Sequence, residues 1–153
     1  MTRLSDIPES LAQHLVEIEC PRYDKDPWVT GPPLAQRRVA IISTAGLQKR
    51  GDRPFDLGAN DYRIIEGDLP SADLVMSHIS TNFDRTGFQQ DINVVFPIDR
   101  LRELVAEGAI GSVAAFHYSF MGATAPEAFE GTVKGLAPLL KRDGVDAVLL
   151  APV

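Results

Sequence analysis

Val39-Ala40-Ile41-Ile42-Ser43-Thr44-Ala45-Gly46 opens with a β-branched run and breaks at small polar residues and a glycine. A strand with one wet face alternates apolar and polar positions, whereas a short run apolar on both faces suits a buried strand of a parallel sheet. Working outward, Tyr62-Arg63-Ile64-Ile65 and Leu74-Val75-Met76-Ser77-His78-Ile79 read as a second and a third strand. A fourth runs from Val113 to about Phe120, with Ala114, Phe116, Tyr118 and Phe120 on one face and His117 and Ser119 on the other. Pro97 opens a helix whose stripe is Ile98, Leu101, Leu104 and Val105; Asp99 sits in its first turn and Gly108 stops it. Thr124 with Glu127 forms a capping box for a further helix, faced by Phe129, Val133, Leu136 and Leu140 and ended by Asp143-Gly144. Pro138 is expected to kink or shorten that helix. Val145 to Val153 is the strongest apolar strand and reads as interior. This alternation gives the fold class: α/β, a mostly parallel sheet with helices packed on it, in a single domain.

Upstream of that domain (35–153), residues 1–34 read as an N-terminal helix and a proline-rich connection. Asp6 and Glu9 make a capping-box pattern for a helix over 6–20, with Leu11, Leu15 and Ile18 at helical spacing. Cys20-Pro21 to Pro32-Pro33 is irregular, and Trp28 is expected to act there as a hydrophobic anchor.

The 153 residues suit one domain. Apolar residues at 44% and charged residues at 24% are ordinary globular usage, which argues against global disorder. A net charge of −6 lacks the basic field that phosphate backbones require, so no nucleic-acid partner is expected. No apolar run approaches the ~20 residues of a membrane span, and the acidic start does not resemble a secretory signal; a cytoplasmic protein is expected. Cys20 is the only cysteine, which excludes an internal disulfide and a zinc–thiolate cluster.

His78 stands at the end of the third strand, before a polar stretch holding Asn82, Asp84, Arg85, Asp91 and Asn93. These residues suit a substrate-orienting group whose carboxylates position an amine or a proton, or a histidine tied to an aspartate to brace a long loop. Asp91 and Asn93 also suit loop-ordering. His117 reads as a proton donor or as a satisfied core histidine. Ser43 and Thr44 follow the first strand, where backbone N–H groups can meet an anion. Gly46 to Arg53 imitates a Walker A loop but has Asp52 where lysine is needed, which excludes nucleoside triphosphates. Gly-x-Gly-x-x-Gly is absent, which removes the dinucleotide fingerprint. Imidazole and carboxylate occur without metal-ligand spacing, so no metal is expected. In open α/β sheets ligands bind outside the carboxyl ends of the strands. The last residues thus lie where a functional loop would begin, unless the final strand simply closes the sheet.

The segments 39–46, Ser77-His78-Ile79-Ser80-Thr81-Asn82-Phe83-Asp84, Asp91-Ile92-Asn93-Val94-Val95-Phe96-Pro97-Ile98-Asp99-Arg100-Leu101, Ile110-Gly111-Ser112-Val113 to His117-Tyr118-Ser119-Phe120-Met121-Gly122, and Asp143 to Leu150 occur in a specific order. Together, over about 35–153, they resemble the selenoprotein B family of the glycine, sarcosine, betaine and D-proline reductases, most of all its shorter stand-alone bacterial members. The resemblance implies reductive cleavage of a carbon–nitrogen bond in a small amine, with electrons from a thiol donor such as thioredoxin. It also implies that the strand resembling Asp146 to Leu150 leads into a selenocysteine or cysteine, with a second cysteine three residues later. Here the sequence stops at Val153, just before that position. The expectation is the N-terminal part of such a reductase, cut at an unrecoded UGA codon and inactive without the Sec/Cys pair. No catalytic residue and no separate cofactor are expected within the chain. The substrate-binding candidates are Ser43, Thr44, His78, Asn82, Asp84, Asp91, Asn93 and His117, and copies are expected to associate through an exposed sheet edge. The competing readings are a complete small-molecule-binding α/β module and a metal-dependent hydrolase built on His78 and the carboxylates after it.

Overall fold

The computed structural model describes residues 3–18, 22, 24, 26–80 and 85–153, in two compact units, Met1–Thr30 and Gly31–Val153. In the first unit, α1 (Glu9–Glu17) starts after Pro8 rather than at Asp6. Ile7, preceding a proline, is held extended at φ −114°, ψ 160°, so no helix can run through it. The Asp6 carboxylate instead accepts from the Arg3 N–H at 2.9 Å, inside a 3₁₀ turn over Leu4–Asp6. α1 buries none of its residues, and Trp28 is exposed rather than anchoring, because none of the described residues of this unit is buried to receive it. Cys20 lies outside the described residues.

The second unit is built around β1 (Arg38–Ser43), the run from which the fold was read. Along one edge β1 pairs in parallel with β7 (Ala147–Ala151) over five positions, Val39 opposite Ala147 to Ser43 opposite Ala151. Along its other edge it pairs in parallel with β5 (Ser112–Val113) and then β6 (Phe116–Ser119). β3 (Arg63–Glu66) closes the far side of β6 as an antiparallel strand. The sheet is therefore mostly parallel, as the sequence pattern predicts.

α2 (Thr86–Gln90) is a short helix ahead of α3, and helices cover both faces of the sheet. α3 (Ile98–Ala106) contributes Ile98 and Leu101 to a cluster with Val39, Ile41, Leu47, Ile65, Phe96 and Ile110. α4 (Glu130–Arg142) places Leu136 against Tyr118 and Phe120 on the opposite face. Edge-on ring contacts, Tyr62–Tyr118 at 5.6 Å and Phe120–Phe129 at 5.1 Å, fasten that second layer. Each fully buried aliphatic or aromatic side chain contributes roughly 1.5–3 kcal/mol, so these two clusters carry most of the driving force.

Five readings of the sequence need correction. The third strand is only β4 (Leu74–Met76), and it pairs antiparallel with β2 (Leu47–Lys49) in a separate two-stranded sheet. The cause is Gly46, whose φ of +64° turns the chain out of β1 and into β2. The fourth strand is interrupted at Ala114-Ala115, because the Ala115 carbonyl accepts from the Gly67 N–H at 2.8 Å instead of continuing the ladder on β1. Thr124 caps nothing: its hydroxyl donates to the Ala59 carbonyl, and a 3₁₀ turn opened by Pro126 leads into α4. α4 then runs through Pro138 and is not shortened. Finally, β7 is not interior. It pairs with β1 alone among the described strands, and Val148, Leu149 and Leu150 are exposed. Periodicity reports the apolarity of a strand, not how many neighbours it acquires.

Asp143, at the carboxyl end of α4, ties that helix to β1 and β6. Its carboxylate accepts from Arg38 Nη2 at 2.7 Å and from the Phe116 N–H at 3.0 Å, and its carbonyl accepts from Arg38 Nε at 2.6 Å. Burial pushes this carboxyl up, but the Arg38 and Phe116 hydrogen bonds outweigh it and hold Asp143 below the usual carboxylate range. Asp143→Ala leaves a half-buried guanidinium and a backbone N–H without their acceptor. It is expected to lower stability by roughly 1–3 kcal/mol, read as a reduced midpoint in urea at unchanged slope.

Candidate functional site

The carboxyl ends of β1 and β7, with the chain just beyond β6, meet at one place. Past β1, the Thr44 N–H donates to the Ala151 carbonyl at 3.1 Å, which carries the β1–β7 ladder to its end. The Thr44 hydroxyl then accepts from the Val153 N–H at 2.8 Å and donates to the Val153 carbonyl at 3.2 Å. On the other side, the Thr44 carbonyl accepts from the Gly122 N–H at 2.9 Å. Thr44 thus joins the segments leaving β6 and β7.

His78 is brought to the same point by two glycines. At Gly46 a Cβ would stand 3.0 Å from the His78 nitrogen and 3.1 Å from its Cα, so the backbones lie in a contact that a side chain would disturb. At Gly122 a Cβ would stand 2.9 Å from the Thr44 carbonyl oxygen and 3.0 Å from His78 Nε2, with the Val153 carbonyl oxygen closer still. The imidazole is buried, and its Nδ1 accepts from the Ser80 N–H at 3.1 Å. A guanidinium nitrogen of Arg85 donates to the His78 carbonyl at 2.7 Å and to the Ser80 carbonyl at 2.5 Å, clamping this turn. Burial first, and the Arg85 charge second, push the His78 imidazole below the usual histidine range, against an opposing contribution from the Ser80 backbone.

Of the candidates read from sequence, Thr44 and His78 are therefore brought together, with Val153 between them. Ser43 is buried and turned inward, its hydroxyl donating to the Val95 carbonyl at 2.8 Å and accepting from the Ala45 N–H at 3.2 Å. Asp91 and Asn93 organise the start of α3. The Asp91 carboxylate accepts the Asn93 N–H at 2.9 Å, and the Asn93 side chain accepts the Asp99 N–H at 3.0 Å and donates to the Asp99 carboxylate at 3.1 Å. Those bonds to Asn93 hold both carboxyls low. Asn82 and Asp84 lie outside the described residues.

His117 is fully buried in the sheet. Its Nδ1 accepts the Ile41 N–H at 2.9 Å, standing in for the carbonyl that the break between β5 and β6 takes away from β1. The ring meets Phe96 edge-on at 5.4 Å. Burial, reinforced by Arg102 and Arg38 and opposed by Asp143, lowers its pKa to about 4. Among the described residues, no three of His, Cys, Asp and Glu gather as metal ligands. No helix among them is long and apolar enough to cross a membrane. Sequence reasoning missed Gly122 and Gly46 as site residues; a glycine just past a strand end is the one signal that marks such a close approach.

The model of the glycine/sarcosine/betaine reductase selenoprotein B family matches residues 19–153. The chain belongs to that family. The match begins upstream of the region from which the resemblance was read. Among its relatives, D-proline reductase subunit gamma of Acetoanaerobium sticklandii is 35% identical over 133 residues, covering 80% of this chain and 54% of the relative. Glycine reductase complex component B subunit gamma of Carboxydothermus hydrogenoformans is 32% identical over 146 residues, covering 88% of this chain and 32% of that one. Betaine reductase complex component B subunit beta of Peptoclostridium acidaminophilum is 36% identical over 122 residues, covering 76% and 28%. The chain thus spans about half the length of the first relative and about a third of the others. No solved structure matches it. The relatives so named are a subunit of D-proline reductase and components of glycine and betaine reductase complexes.

Proposed function

We propose that this chain is the substrate-side scaffold of a selenocysteine- or cysteine-dependent reductase, whose small amine substrate binds at the joint carboxyl ends of β1 and β7. The observation that supports this reading is the convergence of Thr44, His78 and Gly122 on Val153. Under this reading the reactive chalcogen belongs directly after Val153 and is delivered by β7 into a site already walled by Thr44 and His78. The selenolate or thiolate attacks the carbon that bears the nitrogen, so a carbon–chalcogen bond forms as the carbon–nitrogen bond breaks and the protonated amine leaves. A second thiol then attacks the chalcogen, the released carbon takes up a proton, and a dithiol donor such as thioredoxin reduces the resulting chalcogen–sulfur bond while being oxidised to its disulfide. Thr44 and Gly122 hold the geometry, while His78 faces the reacting group.

Binding is testable without turnover. Titrating the ¹⁵N-labelled chain with glycine, sarcosine, betaine and D-proline is expected to shift amides at 44–46, 78–80, 120–122 and 151–153 for at least one of them. Shifts absent at tens of millimolar, or confined to the start of α3 around Asn93, would remove the proposed site.

A further inference from the structure

His78 occupies one wall of this cleft, and its hydrogen bonding restricts the chemistry it can perform. We propose that His78 acts as a neutral hydrogen-bond donor, through Nε2–H, to the anionic chalcogen that follows Val153, and so sets its ionisation. This rests on the reading that β7 delivers the nucleophile.

Three observations carry it. Nδ1 accepts the Ser80 N–H at 3.1 Å, so the neutral ring holds its proton on Nε2. Nε2 lies 3.0 Å from the point where a Cβ on Gly122 would stand, the same point that the Val153 and Thr44 carbonyls approach. A peptide continuing from Val153 therefore departs beside Nε2. The ring is also fixed in place: Gly46 lies against its backbone, and Arg85 clamps the carbonyls of His78 and Ser80. An imidazolium here would set a second N–H against the Ser80 N–H, beside the Arg85 guanidinium and in a buried place. Each of these disfavours the cation. The interaction is thus a hydrogen bond to an anion rather than an ion pair. It persists across neutral pH instead of switching with histidine protonation.

The test appends one cysteine directly after Val153 in a Cys20→Ser background and follows its alkylation by iodoacetamide against pH. With His78 in place, the thiol is expected to titrate about one pH unit below an ordinary cysteine, which is about tenfold more thiolate at a given pH below its midpoint. His78→Gln, which keeps an N–H donor, should retain most of that shift, and His78→Phe should abolish it. An equal midpoint in the His78→Phe chain overturns the role of His78, whatever the amine titration shows. Should a variant fail to fold, ¹⁵N spectra of the unaltered chain decide: a neutral Nε2–H ring at neutral pH supports the assignment, and an Nδ1–H tautomer overturns it. Failure of the underlying reading looks different: the amines leave the cleft unshifted while the His78 tautomer stands.

Discussion

Replacing His117 by alanine is expected to lower stability by roughly 3–5 kcal/mol. The ring is fully buried, packs on Phe96, and provides the acceptor for the Ile41 N–H in the middle of the central strand. Truncation opens a void and strands a buried backbone donor, two costs that add. His117→Asn puts an amide oxygen where Nδ1 stood and should recover part of the loss, which a void alone would not allow.

The same residue makes the fold acid-sensitive. Its pKa falls from an ordinary 6.5 to about 4 in the folded chain. As pH drops below 6.5 the unfolded chain takes up a proton that the folded chain refuses, so stability declines until about pH 4. At ~1.4 kcal/mol per pH unit the full loss is roughly 3 kcal/mol. Urea midpoints measured from pH 7 to 4 should show this decline in the native sequence and a flatter profile in His117→Asn. Equal slopes in the two chains would assign the acid sensitivity to other groups.

Gly122→Val carries the second large effect. Even a single Cβ at this position would overlap the Val153 carbonyl oxygen and press on the Thr44 carbonyl and His78 Nε2. Two of those three are backbone atoms and cannot rotate away. Overpacking of this kind costs roughly 1–3 kcal/mol, and relieving it means lifting the end of β7 from the Thr44 hydroxyl. The expected result is a lower urea midpoint together with loss of the amine-induced shifts at 44–46 and 151–153. Gly135→Ala, inside α4 with nothing within 4 Å of a new Cβ, is the control: it should not lower the midpoint, which helix propensity would if anything raise, and should leave the shifts intact. A Gly122→Val chain that still binds the amines would place their site elsewhere.

The sequence carried the fold class because runs such as Val39–Ile42, and helix stripes such as Ile98-Leu101, depend on local periodicity. It did not carry what depends on pairing. A run of Val, Leu and Leu at 148–150 looks the same whether one neighbour flanks it or two, so β7 read as interior. Capping boxes at Asp6 and Thr124 failed for one reason: Pro8 and Pro126 impose local geometry that a side-chain acceptor cannot override. The alternation in 113–120 concealed the break at Ala114-Ala115, because a side chain, His117, replaced the missing ladder partner. The placement of Thr44 and His78 beyond strand ends was legible from their order in the sequence. The hydrogen bonds by which Asp91 and Asn93 order the start of α3 were not, since a polar residue that orders a helix start and one that meets a ligand have the same composition. Gly122 left only a one-letter trace.

β1 meets its partners late. Its longest ladder is with β7, and the Arg38 N–H bonds to Asp146, 108 positions downstream. During synthesis at roughly 5–20 residues per second, the apolar run 39–42 waits on the order of 5–20 s before that partner exists. The strand that organises the sheet is thus also an apolar segment left long without its partner in the nascent chain, where misassociation would begin.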